Sequence, residues 1–436
     1  MSKVLQKADM YELGAAGLTI AAGCTVEGIT SAKALQNLER GFPLILREFP
    51  ALRLRFETAV DDDGATHWAF SHPSELAFAA LVIPVESPDT APPTALPIKE
   101  GPLWRLRIST SATTSNAHFR LFTSHSFCDG RTIFDLLSLF VHFATHADAS
   151  LALPSVPEPF RSEWERRTRL GTLETDVLEG TPYGKRGWFT PETTAGMRGT
   201  PPSWWRTKPC RLTPTVAVPS YSVATQWSFP YEPVNAFCKG KGVTVQGIVG
   251  AVHARAMRVF NGVNVSEMCV CTPTDTRRYP FTTEEHRRSA FFGHNGFVLV
   301  YVQQKESLLD EIVLCSDELR KVMMTKETAH TVMFQTGCGA DSWKEDEIGP
   351  FPDCGSRNVV CASHIGYVCR NMNVCEITFM MNNPVGENGA YWPSLYALHT
   401  DKVLTFSLLH PYNAPSEFVE AVHSTIKEAM NLCLEK

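Results

Sequence analysis

The chain has 436 residues, of which 44% are apolar and 20% are charged, and its formal net charge is −6. This composition is typical of a globular protein, and the length predicts two domains of about 200 residues each. No run of basic residues is long enough to form a nucleic-acid surface, so we expect no nucleic-acid partner.

The opening segment and the cysteines indicate where such a protein works. Residues 1–7 lack the apolar core of a signal peptide, and the longest apolar runs, 76–85 and 133–144, are too short to cross a bilayer. None of the 13 cysteines stands in a Cys-x-x-Cys pair, so we expect reduced core thiols instead of disulfides or a zinc site. These features predict a cytoplasmic protein without a membrane span.

The first predicted domain covers residues 1–153. A helix is expected from about Ser31, ending at Gly41 and Pro43. Residues that alternate in polarity predict strands at 49–56, 104–108 and 118–125. After Gly130, apolar side chains recur every three or four residues, which predicts an amphipathic helix.

A proline-rich segment, 154–219, holds ten of the 29 prolines together with four tryptophans. We interpret it as a crossover between the two halves, because proline disfavours regular structure while tryptophan favours packing. The second domain, 220–436, shows three helical patterns, at 244–260, at 307–324 and from Ser416 onward. Strands are expected at 226–229, 268–272, 296–303, 359–363, 374–380 and 403–409. Helices and strands alternate, so the predicted fold class is α/β with mixed sheets.

The most informative motif joins the end of the strand at 118–125 to the helix after Gly130. It reads His125-x-x-x-Asp129-Gly130. A histidine titrates near neutral pH and can take a proton from a nucleophile, and a glycine keeps side-chain bulk away from it. The motif resembles the signature of the CoA-dependent acyltransferase superfamily, which includes plant BAHD enzymes, trichothecene and alcohol acetyltransferases, and condensation domains.

Other segments extend the resemblance over most of the chain. They are Leu52–Arg55, Gly101–Arg105, Thr274–Arg277 with Gly293–Gly296 and, more weakly, Ser363–Gly366. Three departures are present. Ser124 stands where condensation domains have a first histidine, His294 is inserted between Gly293 and Asn295, and the plant Asp-Phe-Gly-Trp-Gly motif is absent, its nearest stretch being Asn382–Gly386. The family fold implies two similar chloramphenicol-acetyltransferase-like domains with an active-site tunnel between them.

The resemblance also implies a reaction. An acyl group would pass from acyl-CoA, as a co-substrate, to a hydroxyl of a small molecule, with an amine acceptor or a carrier-protein donor as alternatives. His125 would act as general base without a covalent intermediate, since no Gly-x-Ser-x-Gly elbow is present. No permanent cofactor and no metal are expected. A monomer of secondary metabolism is the expected setting, and a non-catalytic binding module of the same fold is the rival hypothesis.

Supporting roles follow for other residues of these motifs. The resemblance implies that Asp129 and Gly130 shape the active site and that Asp129 pairs with Arg277, while the alternative is that Asp129 caps the following helix. The expected substrate or cofactor contacts are Ser124, Asn295, Ser363 and His364. Two further alternatives remain open: a metal at His142 and His146, which are spaced i and i+4, and a nucleophilic Cys128.

Overall fold

The structure is a computed structural model. It describes residues 3–7, 18–48, 50–60, 64, 66–72, 76–86, 96, 101–110, 115–126, 128–146, 222–261, 267–275, 295–323, 359–370, 372–382, 393–411 and 414–434. These residues divide into two compact units. The first contains the described residues of Met1–Arg169 and Tyr367–Asn382, and the second contains those of Leu170–Thr276, Asn295–Gly366 and Asn383–Lys436. The predicted crossover at 154–219 lies outside the described residues, and the predicted domain boundaries stay predictions.

The regular elements of the described residues are numbered here in chain order. The strands are β1 (Lys3–Lys7), β2 (Thr19–Val26), β3 (Arg55–Val60), β4 (Thr66–His72), β5 (Val82–Val85), β6 (Trp104–Thr110), β7 (Ala117–Ser124), β8 (Ser222–Pro230), β9 (Glu267–Asp275), β10 (Asn295–Gln303), β11 (Val359–Tyr367), β12 (Val374–Asn382), β13 (Ser394–His399) and β14 (Val403–Pro411). The helices are α1 (Ser31–Glu48), α2 (Phe78–Leu81), α3 (Gly130–Thr145), α4 (Tyr231–Lys241), α5 (Val245–Asn261), α6 (Leu308–Met323) and α7 (Ser416–Leu434).

The first unit is built on a five-stranded mixed sheet with the order β12-β2-β7-β6-β5. Only the β5–β6 pairing is parallel, and β7 runs antiparallel between β2 and β6. A separate three-stranded sheet has the order β1-β4-β3. Because β7 lies in the middle of the larger sheet, its C-terminal end is fixed by strands on both sides.

Helices α1 and α3 pack on one face of the five-stranded sheet. Trp104 anchors this layer: its indole donates to the carbonyl oxygen of Leu52 over 2.8 Å, and its ring lies 4.9 Å from that of Phe140. Gly41 lets the two helices approach closely, because a Cβ atom there would lie 2.5 Å from the Phe143 ring. Burial of these large rings supplies much of the hydrophobic stabilisation of the unit.

The second unit is built on a six-stranded mixed sheet with the order β10-β9-β11-β13-β14-β8. Strand β11 runs parallel to β9, and the pairings of β10 with β9, of β13 with β14 and of β14 with β8 are antiparallel. Helices α5, α6 and α7 pack together over a core of aliphatic side chains. A buried charge cluster fixes α5 to α6: Arg258 donates to Glu311 over 2.5 Å, and the same carboxylate oxygen accepts from the Lys305 backbone over 3.0 Å.

The predicted class, α/β with mixed sheets, is confirmed, and the four longest helices after residue 130 lie within a few residues of their predicted positions. Two predictions are wrong. Helix α1 does not end at Gly41 and Pro43, because Ala34, Leu38 and Ile45 continue one buried stripe to the last turn. The expected strand at 49–56 begins only at Arg55, since residues 50–53 form a 3₁₀ turn.

Candidate active site

The candidate site lies in the first unit, at the point where β7 ends. His125 follows the last residue of β7, and its backbone N–H donates to the carbonyl oxygen of Leu18 over 2.8 Å. The N–H of Ser124 donates to the carbonyl oxygen of Leu103, also over 2.8 Å. The residues that directly precede β2 and β6, the two neighbours of β7, therefore hold the backbone that carries the imidazole.

The His125 imidazole is oriented by a backbone contact within its own turn. Its Nδ1 atom lies 2.9 Å from the carbonyl oxygen of Cys128. A carbonyl oxygen only accepts, so Nδ1 carries the proton and donates. In the neutral ring the lone pair is then on Nε2, the atom that a general base uses.

The protonation state of His125 follows from its surroundings. Desolvation of the charged form is the largest effect, and it lowers the pKa of His125 below the ordinary value of 6.5. The contact with Cys128 and the negative charge of Asp129 oppose this effect without cancelling it. The imidazole is therefore neutral at pH 7, which is the form that accepts a proton.

Asp129 is the N-cap of α3. One of its carboxylate oxygens, Oδ1, accepts from the backbone N–H groups of Arg131, over 3.0 Å, and of Thr132, over 2.7 Å. Its backbone is extended, with φ −97° and ψ 177°, as an N-cap requires. The capping alternative for Asp129 is therefore what the structure shows. Arg277 lies outside the described residues, so the Asp129–Arg277 pair stays a prediction.

Gly130 is the first residue of α3, and it does not have the positive φ found at some other glycines of the described residues. The first turn of α3 is also attached through Arg131. Arg131 donates through Nη1 to the carbonyl oxygen of Tyr367 over 2.7 Å, and through Nε to Asp135 over 3.4 Å. The helix that starts beside His125 is thus held to the chain segment that leads into β12.

Three other side chains at the turn have hydrogen-bond partners close by in the sequence. The hydroxyl oxygens of Ser124 and Ser126 lie 2.8 Å apart, and both residues are buried. The thiol of Cys128 is fully buried and donates to the carbonyl oxygen of Asp129 over 3.6 Å. A buried thiol directed at a backbone carbonyl does not favour the hypothesis of a nucleophilic cysteine. Ser126 is the member of this group that sequence reasoning did not single out.

The remaining predicted contact residues belong to the second unit. Asn295 begins β10, and its side chain lies outside what the structure describes. Ser363 is buried in β11, and the backbone N–H of the next residue, His364, donates to the side-chain oxygen of Gln246. The His364 ring stacks on that of His399 at 5.3 Å. Gln246 and His399 were not predicted, because single polar residues within apolar patterns carry no signal of their own.

The rings of His142 and His146 stack on each other at the C-terminal end of α3, with centroids 4.3 Å apart. Nδ1 of His146 lies 3.0 Å from the carbonyl oxygen of His142. Within the described part of the chain, no group of three His, Cys, Asp or Glu side chains is arranged so that it could hold a metal ion. None of the described helices is long and apolar enough to cross a membrane.

Comparisons of the whole chain identify its fold. No family model and no curated protein matches the sequence. The solved structure of polyketide synthase associated protein 5 from Mycobacterium tuberculosis is similar over 99% of this chain and 98% of its own, with a TM-score of 0.66 and 14% identity. PapA2 acyl transferase is similar over 98% and 93% of the two chains, with a TM-score of 0.61 and 14% identity.

A third similar structure is a mutant starter condensation domain of rhizomide synthetase in complex with C8-CoA. The similarity covers 99% of this chain and 95% of that one, with a TM-score of 0.60 and 12% identity. Because the identities are so low, these three similarities establish the fold alone. The chain has the two-domain α/β fold of condensation domains and related acyltransferases, which is the fold that the motif resemblance implied.

Proposed function

We propose that this protein is an acyltransferase that moves an acyl group from acyl-CoA to a hydroxyl group of a small molecule. The observation that carries the proposal is the state of His125. Its Nδ1 proton is directed to the Cys128 carbonyl, and burial lowers its pKa, so a neutral Nε2 is the basic atom at pH 7. The fold supports the proposal, since PapA2 is an acyl transferase and the rhizomide domain binds C8-CoA.

The chemistry needs only this one base. A thioester is already activated, so the acceptor oxygen attacks its carbonyl carbon while Nε2 of His125 takes the hydroxyl proton. The tetrahedral intermediate collapses, the C–S bond breaks, and the imidazolium returns the proton to the leaving thiolate. No covalent enzyme intermediate forms. The products are an ester and free CoA.

Other residues have supporting roles in this proposal. Asp129 fixes the start of α3 and places a negative charge that favours the imidazolium formed during transfer. Gly130 keeps the approach to His125 open, and Arg277 pairs with Asp129. Asn295, Ser363 and His364 are the proposed substrate contacts from the second unit. We further propose that the protein works in the cytoplasm as a monomer, without a permanent cofactor or metal.

The alternatives to this proposal differ in the acyl donor, CoA or a carrier protein, and in the acceptor group, a hydroxyl or an amine. The rhizomide structure is a condensation domain, so the same site on this chain is compatible with a carrier-protein thioester or an amine acceptor. Octanoyl-CoA and an octanoyl carrier protein, each offered with panels of alcohols and amines, distinguish these cases. Intersecting initial-rate plots are expected, because both substrates are present when the acyl group moves.

The decisive test replaces the base. His125→Gln should lower the release of free thiol from octanoyl-CoA by at least about 100-fold, the range that a positioned general base contributes. The matched control is His146→Gln, at an exposed histidine near the end of α3, which should keep full activity. If the His125 variant retains a tenth or more of wild-type turnover, the general-base assignment is wrong. If the wild type binds octanoyl-CoA but releases no thiol with any acceptor, the chain is a binding module.

A further inference from the structure

Two serines flank His125 and are bonded to each other across it. The Oγ atoms of Ser124 and Ser126 lie 2.8 Å apart. Their residues are 1% and 0% exposed, so bulk water does not compete for this contact. A hydrogen bond between buried hydroxyls restricts the rotamers of both side chains, and removing one hydroxyl leaves the other buried without that partner.

The serine pair completes a set of contacts around the imidazole. The backbone on the strand side is held by the carbonyl oxygens of Leu103 and Leu18, each over 2.8 Å. The imidazole itself is held by the carbonyl oxygen of Cys128, within the turn that follows β7. The serine pair joins these two parts, because it bonds the last residue of β7 to the residue after His125.

We propose that Ser124 and Ser126 are positioning residues for His125, and that their hydroxyl pair keeps Nδ1 on the Cys128 carbonyl so that Nε2 faces the reacting proton. This role replaces substrate contact as the function of Ser124. Its catalytic meaning rests on the proposed acyltransferase function. The positioning itself does not, since it is a property of the folded turn.

Loss of the pair has two consequences that can be measured. The turn relaxes, so Nε2 loses its alignment, and displacements of about 1 Å at a reacting atom lower rates by up to about 100-fold. Water also gains access to the imidazole, which weakens the desolvation that lowers its pKa. Asp129, the charged neighbour that acts on His125, is unchanged in these variants. The pKa of His125 should therefore rise toward its ordinary value.

The experiment compares Ser124→Ala, Ser126→Ala, the double variant and Ser124→Thr, which keeps the hydroxyl. The control is Ser109→Ala on β6, also 1% exposed. Ser109 pairs with His118, seven residues from His125 and so about 20 Å along the sheet. Turnover of octanoyl-CoA is measured against pH, and the His125 pKa is measured by NMR titration of labelled histidine. The signal of His125 is assigned by its absence in His125→Gln.

Each alanine variant should lower kcat about tenfold, with KM for octanoyl-CoA changed less than about twofold, and should move the acidic limb of the pH profile upward. The double variant should be no worse than the more damaged single, since the two hydroxyls act as a unit. Ser124→Thr should regain most of the activity, and Ser109→Ala should lose none.

Unchanged kcat and unchanged His125 pKa in folded alanine variants would overturn the positioning role. A selective rise in KM for Ser124→Ala alone would show that Ser124 contacts substrate instead. Absence of turnover in the wild type would contradict the proposed function but not this inference, because the NMR titration still decides whether the serine pair sets the pKa of His125.

Discussion

Replacing Asp129 by alanine removes both hydrogen bonds that close the first turn of α3. The two backbone N–H groups that it satisfies, at 3.0 and 2.7 Å, lie in a turn that is mostly buried. Loss of an N-cap costs about 0.5–2 kcal/mol, and a buried donor left without a partner adds to that. We expect Asp129→Ala to lower the free energy of unfolding by about 2 kcal/mol.

Asp129→Asn keeps the helix cap but removes the negative charge of the carboxylate. Asparagine caps helices about as well as aspartate, so this variant should lose less than about 1 kcal/mol. It does remove the negative charge that raises the pKa of His125. The pKa of His125 should fall, so the acidic limb of the activity profile should move to lower pH, because more acid is then needed to protonate the base.

Urea denaturation of the wild type and both variants measures these differences from the shift in midpoint at constant m-value. Equal losses for the alanine and asparagine variants would refute the capping argument, since they would show that charge and not hydrogen-bond geometry stabilises the turn. In that case Arg277→Ala, combined with Asp129→Asn in a double-mutant cycle, tests the predicted pair. Additive losses in the cycle would show that the two residues are not partners.

Two further predictions concern packing and acid stability. Burial lowers the pKa of His253 to about 4, whereas in the unfolded chain this histidine titrates near pH 6.5. The stability that the neutral His253 contributes should therefore be fully present above about pH 6.5. The free energy of unfolding should fall by about 3 kcal/mol on acidification to pH 4. His253→Gln should reduce this loss in pH-dependent denaturation, and an unchanged pH dependence would contradict the assignment. Gly41→Ala should destabilise the protein by about 1–3 kcal/mol, because the new methyl group meets Phe143. The control Gly240→Ala, in α4 and with nothing within 4 Å, should be neutral or stabilising, and equal effects of the two substitutions in thermal denaturation would contradict the packing argument.

Helices α3, α5, α6 and α7 were predictable because each shows one continuous apolar stripe. In α5 the residues of the stripe are buried, as Ile248, Val249 and Val252 show, except Val259, which was expected to be buried and is 66% exposed. Such a stripe is a local property of the sequence, and burial on folding preserves it. The end of α1 was not predictable from local signals, since packing against α3 outweighs the preference of Gly41 and Pro43 for ending a helix.

Strand order was not predictable, because it depends on pairings between distant residues. Strand β12 pairs with β2 in the first unit, and Glu376 accepts from Thr25 across 351 positions of sequence. The small residues of β2 show no alternation, since all eight of its positions are buried. A sequence pattern reports which face of a strand is buried but does not name the neighbouring strand.

At the candidate site, residues that act through their side chains could be predicted, and contacts made by backbone carbonyls could not. The motif identified His125 and Asp129, because the proposed chemistry and the helix cap both depend on side chains. The groups that orient His125 are mostly carbonyl oxygens, those of Leu18 and Cys128 among them. Every residue has a carbonyl, so no choice of amino acid reveals these contacts. The hydroxyls of Ser124 and Ser126 are the exception, since a Ser-His-Ser sequence places two short polar side chains on either side of a base. The orientation of the base can therefore be tested by substitution at these serines, whereas at Leu18 and Cys128 the contacting carbonyl survives any replacement of the side chain.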